Sequence, residues 1–195
     1  MEVDKITGVL DGARYLPSPN CNQRPEGVAP ELLVIHGISL PPGEYGGPWI
    51  DALFSNSLDP QAHPYFAEIH QLRVSSHLLI RRNGELVQYV PFEQRAWHAG
   101  LSSYRGRDGC NDFSIGIELE GSDDEPYEAV QYQVLAESVA ALLITYPDLS
   151  AERIAGHSDI APGRKSDPGP HFDWSFFYRQ LDAVMLAKRQ ASIDT

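Results

Sequence analysis

The sequence predicts an α/β fold, a single domain with a central mixed β-sheet flanked by helices. Three observations carry that expectation: a hairpin signal at Asn83-Gly84, short apolar strand-like runs far apart in the chain, and two long helical patterns towards the C-terminus. The 195 residues suit one domain, 1–195, with its core over about 18–188, because one hydrophobic core serves up to roughly 250 residues.

Taken in order, residues 1–30 are rich in Pro, Asn and Gly and read mostly as irregular structure. Leu32-Leu33-Val34-Ile35 is a continuous apolar run, a buried strand ended by His36-Gly37. Residues 39–60 are dense in Pro and Gly and read as a long loop with one helical turn near Trp49–Phe54. Loops of that length in compact domains are usually functional. Tyr65, Phe66, Ile69 and Leu72 give helical spacing over 61–72. Ser76–Arg82 and Glu85–Val90 flank Asn83-Gly84, whose residues accept positive φ and so predict a hairpin. Ser114–Glu120 alternates, with Ile115, Ile117 and Leu119 on one face of a strand and Gly116, Glu118 and Glu120 on the other. Glu128–Tyr146 is an amphipathic helix stopped by Pro147. Arg153-Ile154-Ala155 reads as a further short strand and 158–172 as a Pro/Gly-rich loop. Trp174–Lys188 is a terminal helix with Asp173 as N-cap.

The composition narrows the function. A net charge of −12 argues against nucleic acid, which needs a concentrated basic face. No apolar stretch reaches the ~20 residues of a membrane helix, and Met1-Glu2-Val3-Asp4-Lys5 opens no signal peptide, so the expected location is cytoplasmic. Cys21 and Cys110 form no CxxC pair and are expected to be reduced, small and at least half-buried. Nothing demands more than a monomer.

Three residues have the character of metal ligands: His36 after the first buried strand, His157 after the last, and Asp167 in Lys165-Ser166-Asp167-Pro168-Gly169. Catalytic zinc takes three such ligands and leaves one position for water. Taken singly, each is more often an ordinary polar residue, and no HExxH helix is present to decide. Glu118 is either a solvent-facing strand residue or, turned inward, a carboxylate with a raised pKa. Lys165 is by itself a solvated loop lysine.

Several segments together resemble the zinc N-acetylmuramoyl-L-alanine amidases, the family that includes phage amidases and the peptidoglycan recognition proteins. They are Leu33-Val34-Ile35-His36, Ser76-His77-Leu78-Leu79-Ile80, Trp97-His98-Ala99-Gly100, Ser114-Ile115-Gly116-Ile117-Glu118 and the run from Gly156 to Gly169. Ser39–Gly47, Asp59–Phe66 and Asn111-Asp112-Phe113 are similar to the cytosolic branch that acts on 1,6-anhydro-muropeptides. The resemblance spans roughly Ser18 to Trp174. It implies Zn2+ as cofactor, His36, His157 and Asp167 as its ligands, Glu118 as the catalytic carboxylate, and Lys165 as the catalytic lysine. The implied substrate is a small anhydro-muropeptide, cut between the lactyl group of muramic acid and L-alanine. The same resemblance leaves open a zinc-containing peptidoglycan-binding module without turnover. His98 falls on a pocket-wall position, and His77 on a strand beneath it.

For substrate binding, Arg73 is the first choice as a carboxylate or sugar contact, since an Arg fork matches carboxylates. Trp97 either stacks on the sugar or fills core. Two residues depart from the branch: Gly37 replaces the usual Asn, and Gly109 replaces a frequent Arg. Arg105 or Arg107, in the same loop, is expected to supply the missing cation.

Overall fold

The structure, a computed structural model, describes residues 1–193. Residues 1–30 are more regular than expected. They form β1 (Val3–Asp4), β2 (Val9–Leu10), β3 (Arg14–Tyr15) and β4 (Cys21–Gln23). Strands of two or three residues show no period in sequence, and β3 and β4 form only through partners far along the chain. Next, β5 (Leu32–Ile38) runs past His36-Gly37 rather than ending there. Helix α1 (Trp49–Phe54) is the helical turn expected in the long loop. Helix α2 (Pro64–Ile69) is shorter than the 61–72 pattern. Pro64 stands in its first turn, and the Tyr65 N–H donates to His63 Nδ1 at 3.1 Å, which fixes its start.

Strands β6 (Leu78–Ile80) and β7 (Leu86–Gln88) pair antiparallel around Asn83-Gly84, with Gly84 at φ 86° as the turn requires. After them come β8 (Gln94–Ala96), which pairs with β4, and the small ladder of β9 (Ser103–Tyr104) and β10 (Arg107–Asp108). The remaining elements are β11 (Ser114–Glu120), α3 (Ala129–Thr145), β12 (Ile154–Gly156), α4 (His157–Ile160) and α5 (Trp174–Ile193). Helix α4, a single turn, lies where an unbroken loop was expected. Glu128 and Gln131 form the capping box that starts α3, and the Phe176 N–H donates to Asp173 Oδ1 at 2.8 Å, as an N-cap does.

The central sheet has the order β12-β5-β11-β6-β7-β3 and is mixed: only the β6–β7 pair is antiparallel. The pleat sends alternate side chains to opposite faces. Leu33, Ile35, Ile115, Ile117 and Leu119 pack with Leu135, Val139 and Leu142 of α3 and Phe177 and Leu181 of α5. Each such side chain contributes ~1.5–3 kcal/mol on burial, so this face anchors the fold. Leu79 and Val87 pack with Ile50, Leu53, Phe54 and Phe66 from α1 and α2. Between that cluster and the β12 edge the second face opens into a cavity. Both cysteines are free, Cys110 buried and Cys21 half-buried, as expected.

Candidate active site

Strand register assembles the site. In the parallel β5–β11 pair His36 lies opposite Glu118, so both side chains share the face turned away from α3. In β12, Gly156 pairs with Ile35, so His157 leaves the sheet level with His36. All three residues stand at the C-terminal ends of parallel strands, where such sheets place their ligands. Asp167 arrives from the following loop, whose carbonyl accepts the Ser158 N–H at 2.9 Å.

His36 Nδ1 is 2.9 Å from His157 Nδ1 and 3.2 Å from Asp167 Oδ2, and His157 Nδ1 is 3.0 Å from the same oxygen. A tetrahedral zinc with bonds of 2.0–2.1 Å has ligand edges of about 3.3–3.4 Å. The observed triangle is slightly tighter and of the right shape. Two ring nitrogens and a carboxylate oxygen converging on one point are the donor set of a three-ligand zinc site, and these residues fit that ion. Burial pushes the His36 pKa down to about 4, so its ring is neutral, as a metal ligand must be. Burial acts to raise Asp167, but hydrogen bonds with His157 and His36 outweigh it and hold the carboxyl far below the carboxylate range.

Glu118 is 8% exposed and its Oε2 is buried with no hydrogen-bond partner. Burial, reinforced by the Asp167 charge, raises its pKa well above the ordinary value. An unpartnered buried carboxylate oxygen is costly unless something else completes it. Here it faces a cavity of about 560 Å³ that His36, His157, Lys165, Asp167, Trp97 and His98 also line. Lys165 is exposed on the rim. Trp97 forms part of the wall, with its Nε1–H donating to Asn22 Oδ1 at 2.7 Å.

The binding residues divide. His98 lines the cavity, but its ring nitrogens lie 2.9 Å from His36 Nε2 and 3.1 Å from Ser114 Oγ. Arg73 is exposed next to the lining residues Leu72 and Val74, and among the described residues it donates to the Gln71 and Leu72 carbonyls at 3.3 and 3.4 Å. Arg107, expected at the substrate, is not among the residues that line this cavity. It is paired with Glu31, rests over the Phe113 ring and borders a separate depression with Arg105 and Arg153. Arg105 donates to the Glu152 carbonyl at 3.2 Å. Neither guanidinium lines the cavity that His36 and Glu118 share. Arg107→Ala is therefore expected to leave the Michaelis constant unchanged, and a rise in that constant would put Arg107 back at the substrate. His77 sits beneath the site as expected, accepting the Gly116 N–H at Nδ1 and facing the Gln94 carbonyl with Nε2.

Two further residues at the site have tasks that the local sequence does not show. Asn111 Oδ1 accepts both the His98 and Ala99 N–H groups, at 3.0 and 2.8 Å, and so fixes the loop that carries His98. Tyr127 is buried, and its hydroxyl donates to the Pro168 carbonyl at 2.8 Å, beside Asp167. It lies in a slot between two glycines: a Cβ at Gly37 would meet its hydroxyl, and a Cβ at Gly121 its ring, each at 2.3 Å. That accounts for Gly37, since the space a side chain would use belongs to Tyr127. Gly37→Asn is expected to destabilise the fold by ~1–3 kcal/mol through overpacking, and Tyr127→Phe to restore part of the loss. Thermal midpoints of both single variants and the double variant check this; an unchanged midpoint for Gly37→Asn would mean that Tyr127 moves aside freely.

The sequence model for N-acetylmuramoyl-L-alanine amidase matches residues 26–170, which include every cavity residue named above. The 1,6-anhydro-N-acetylmuramyl-L-alanine amidase AmpD of Escherichia coli (strain K12) is 64% identical over 170 residues, covering 87% of this chain and 92% of that protein. A crystal structure of a Se-Met AmpD derivative superposes with a TM-score of 0.90 at 60% identity, covering 93% of this chain and 99% of that one. The E. coli amidase AmiD, solved with the substrate anhydro-N-acetylmuramic acid-L-Ala-D-γ-Glu-L-Lys, superposes with a TM-score of 0.57 at 32% identity, over 82% of this chain and 61% of that one.

Proposed function

The chain belongs to the N-acetylmuramoyl-L-alanine amidase family, and on that premise we propose how its residues divide the work. It is a zinc-dependent hydrolase of anhydro-muropeptides, cutting the amide between the lactyl group of 1,6-anhydro-N-acetylmuramic acid and L-alanine in cell-wall recycling. The carrying observation is the three-donor cluster of His36, His157 and Asp167 sharing a cavity with the unpartnered Oε2 of Glu118.

Bound there, zinc supplies a Lewis acid for the scissile carbonyl and lowers the pKa of a water to about 7. Glu118 takes the proton of the attacking water and returns it to the leaving amine of L-alanine. Its raised pKa suits both halves of that task, because burial beside the Asp167 charge strengthens the carboxylate's hold on the proton it takes from the water. Lys165, on the rim, meets the negative charge that develops on the carbonyl oxygen; losing one such donor typically costs ~10²–10³ in turnover. Trp97, steadied by Asn22, offers a face to the sugar ring. Arg73 meets a stem-peptide carboxylate at the mouth, since its own hydrogen bonds are long and local. The whole chain acts as one amidase domain. We place it in the cytoplasm, a reading supported by its two free cysteines. No described helix is long and apolar enough to cross a membrane.

The test is mass-spectrometric cleavage of 1,6-anhydro-N-acetylmuramyl-tripeptide before and after zinc is stripped by a chelator. Free tripeptide is expected, to stop on stripping and to return with added zinc. No cleavage by fully zinc-loaded protein would leave a binding module without turnover.

A further inference from the structure

The hydrogen bonds behind His36 form a chain with only one consistent direction. Ser114 Oγ lies 2.5 Å from the Cys110 carbonyl oxygen and 3.1 Å from His98 Nε2. A carbonyl only accepts, so the Ser114 hydroxyl hydrogen goes to Cys110, and the Ser114 oxygen is left to accept. His98 must then carry its hydrogen on Nε2. A neutral His98 therefore presents a bare Nδ1, which lies 2.9 Å from His36 Nε2 and accepts a hydrogen from it. His36, with its hydrogen on Nε2, turns a bare Nδ1 towards His157 and Asp167. Were the chain reversed, a hydrogen would sit on His36 Nδ1, at the centre of the ligand cluster. His157 reaches the same tautomer more simply: its Nε2 lies 3.2 Å from the Ala99 carbonyl, leaving its Nδ1 bare.

The position of His98 is itself held on three sides. Its N–H and that of Ala99 are fixed by Asn111. Its ring lies flat against Gly116 of β11, where a Cβ would come within 2.5 Å of His98 Cγ. Both ring nitrogens are engaged, so neither is left for substrate, although one edge of the ring reaches the cavity.

We propose that His98 is a positioning residue for zinc, not a substrate contact: with Ser114 and the Cys110 carbonyl it locks His36 into the Nδ1-ligating tautomer and orientation. The inference rests on the zinc reading of the His36 site. Partners behind a metal ligand are typically worth ~10–100-fold in metal affinity.

The experiment is a zinc titration against a competing chelator, with the parent, His98→Leu, His98→Asn and Ser114→Ala compared. His98→Leu is expected to weaken zinc binding by ~10–100-fold. His98→Asn is expected to recover most of the loss, because Asn Oδ1 can stand where Nδ1 accepts. Ser114→Ala is expected to lose less, since it only frees the far end of the chain. Circular dichroism of each zinc-free variant shows whether it is folded; if His98→Leu is not, Ser114→Ala and His98→Asn carry the comparison. A nitrogen-15 NMR spectrum of zinc-loaded parent supplies an independent reading, with the hydrogen expected on His36 Nε2. Folded variants that all bind zinc as tightly as the parent, or a spectrum with the hydrogen on His36 Nδ1, would overturn the proposal while leaving the zinc site standing. A parent that binds no zinc would remove both.

Discussion

Glu118→Gln is expected to lower turnover by ~10²–10⁴-fold, the usual worth of general acid–base help, with zinc content unchanged. Gln keeps the size and one carbonyl oxygen of Glu but cannot carry the proton. The sheet should not notice: β11 is held by its pairing with β5 and β6 and by Ile115, Ile117 and Leu119 on the opposite face. The ligand atoms come from His36, His157 and Asp167, so metal binding does not pass through position 118. The buried Oε2 without a partner is what separates Glu118 from a structural acid such as Glu120. That residue accepts from Arg81, from the Gly46 N–H and from the Arg82 N–H. The raised pKa adds a second signature. Glu118 loses its carboxylate form as pH falls, so the parent's rate should drop on the acid side and that limb should vanish in the variant. Single-turnover rates across pH, with metal analysis of the same samples, check both. Turnover within a few-fold of the parent would remove Glu118 from proton transfer.

How much of this was legible in the sequence depends on the distance over which each feature is decided. The alternation of Ile115, Ile117 and Leu119 is local, and it assigns Glu118 to the other face of β11 before any partner is known. Asn83-Gly84 is local too, and the hairpin formed where its turn chemistry put it. The end of β5 is not local. His36-Gly37 looks like a stop, but pairing with β11 continues to Ile38 opposite Glu120. Gly37 is there for the Tyr127 hydroxyl, 90 positions away. The fate of Arg107 was decided by Glu31, with which it pairs across 76 positions. His98 was placed correctly at the cavity wall from its motif. Its task depends on Ser114 and His36, whose hydrogen-bonding atoms meet only when β5 and β11 lie side by side. The ligand set was legible only through family resemblance, because two histidines and an aspartate 121 and 10 positions apart carry no spacing rule of their own.

Asp167→Ala should fail in a different way from Glu118→Gln, and the contrast identifies both residues. Apparent zinc affinities of ~10–16 kcal/mol for four-ligand sites correspond to about 2.5–4 kcal/mol per ligand, or ~10²–10³ in dissociation constant. Asp167 is the only charged member of the cluster, and its carboxyl is held far below the carboxylate range, so it is anionic at any working pH. Removing it leaves only the two imidazoles beside Glu118, whose own pKa is raised in part by the charge on Asp167. The fold around the gap should persist, because Tyr127 still holds the Pro168 carbonyl and the Ser158 N–H still reaches the backbone of residue 167. Asp167→Ala is therefore expected to lose its zinc on dialysis against a mild chelator that the parent survives. Part of its activity should return when zinc is raised, since Glu118 and Lys165 remain in place. Glu118→Gln, zinc-loaded throughout, should gain nothing from the same addition. An Asp167→Ala protein that keeps stoichiometric zinc through the chelator step would take Asp167 out of the ligand set. One that binds added zinc normally yet stays inactive would move Asp167 into the chemistry itself.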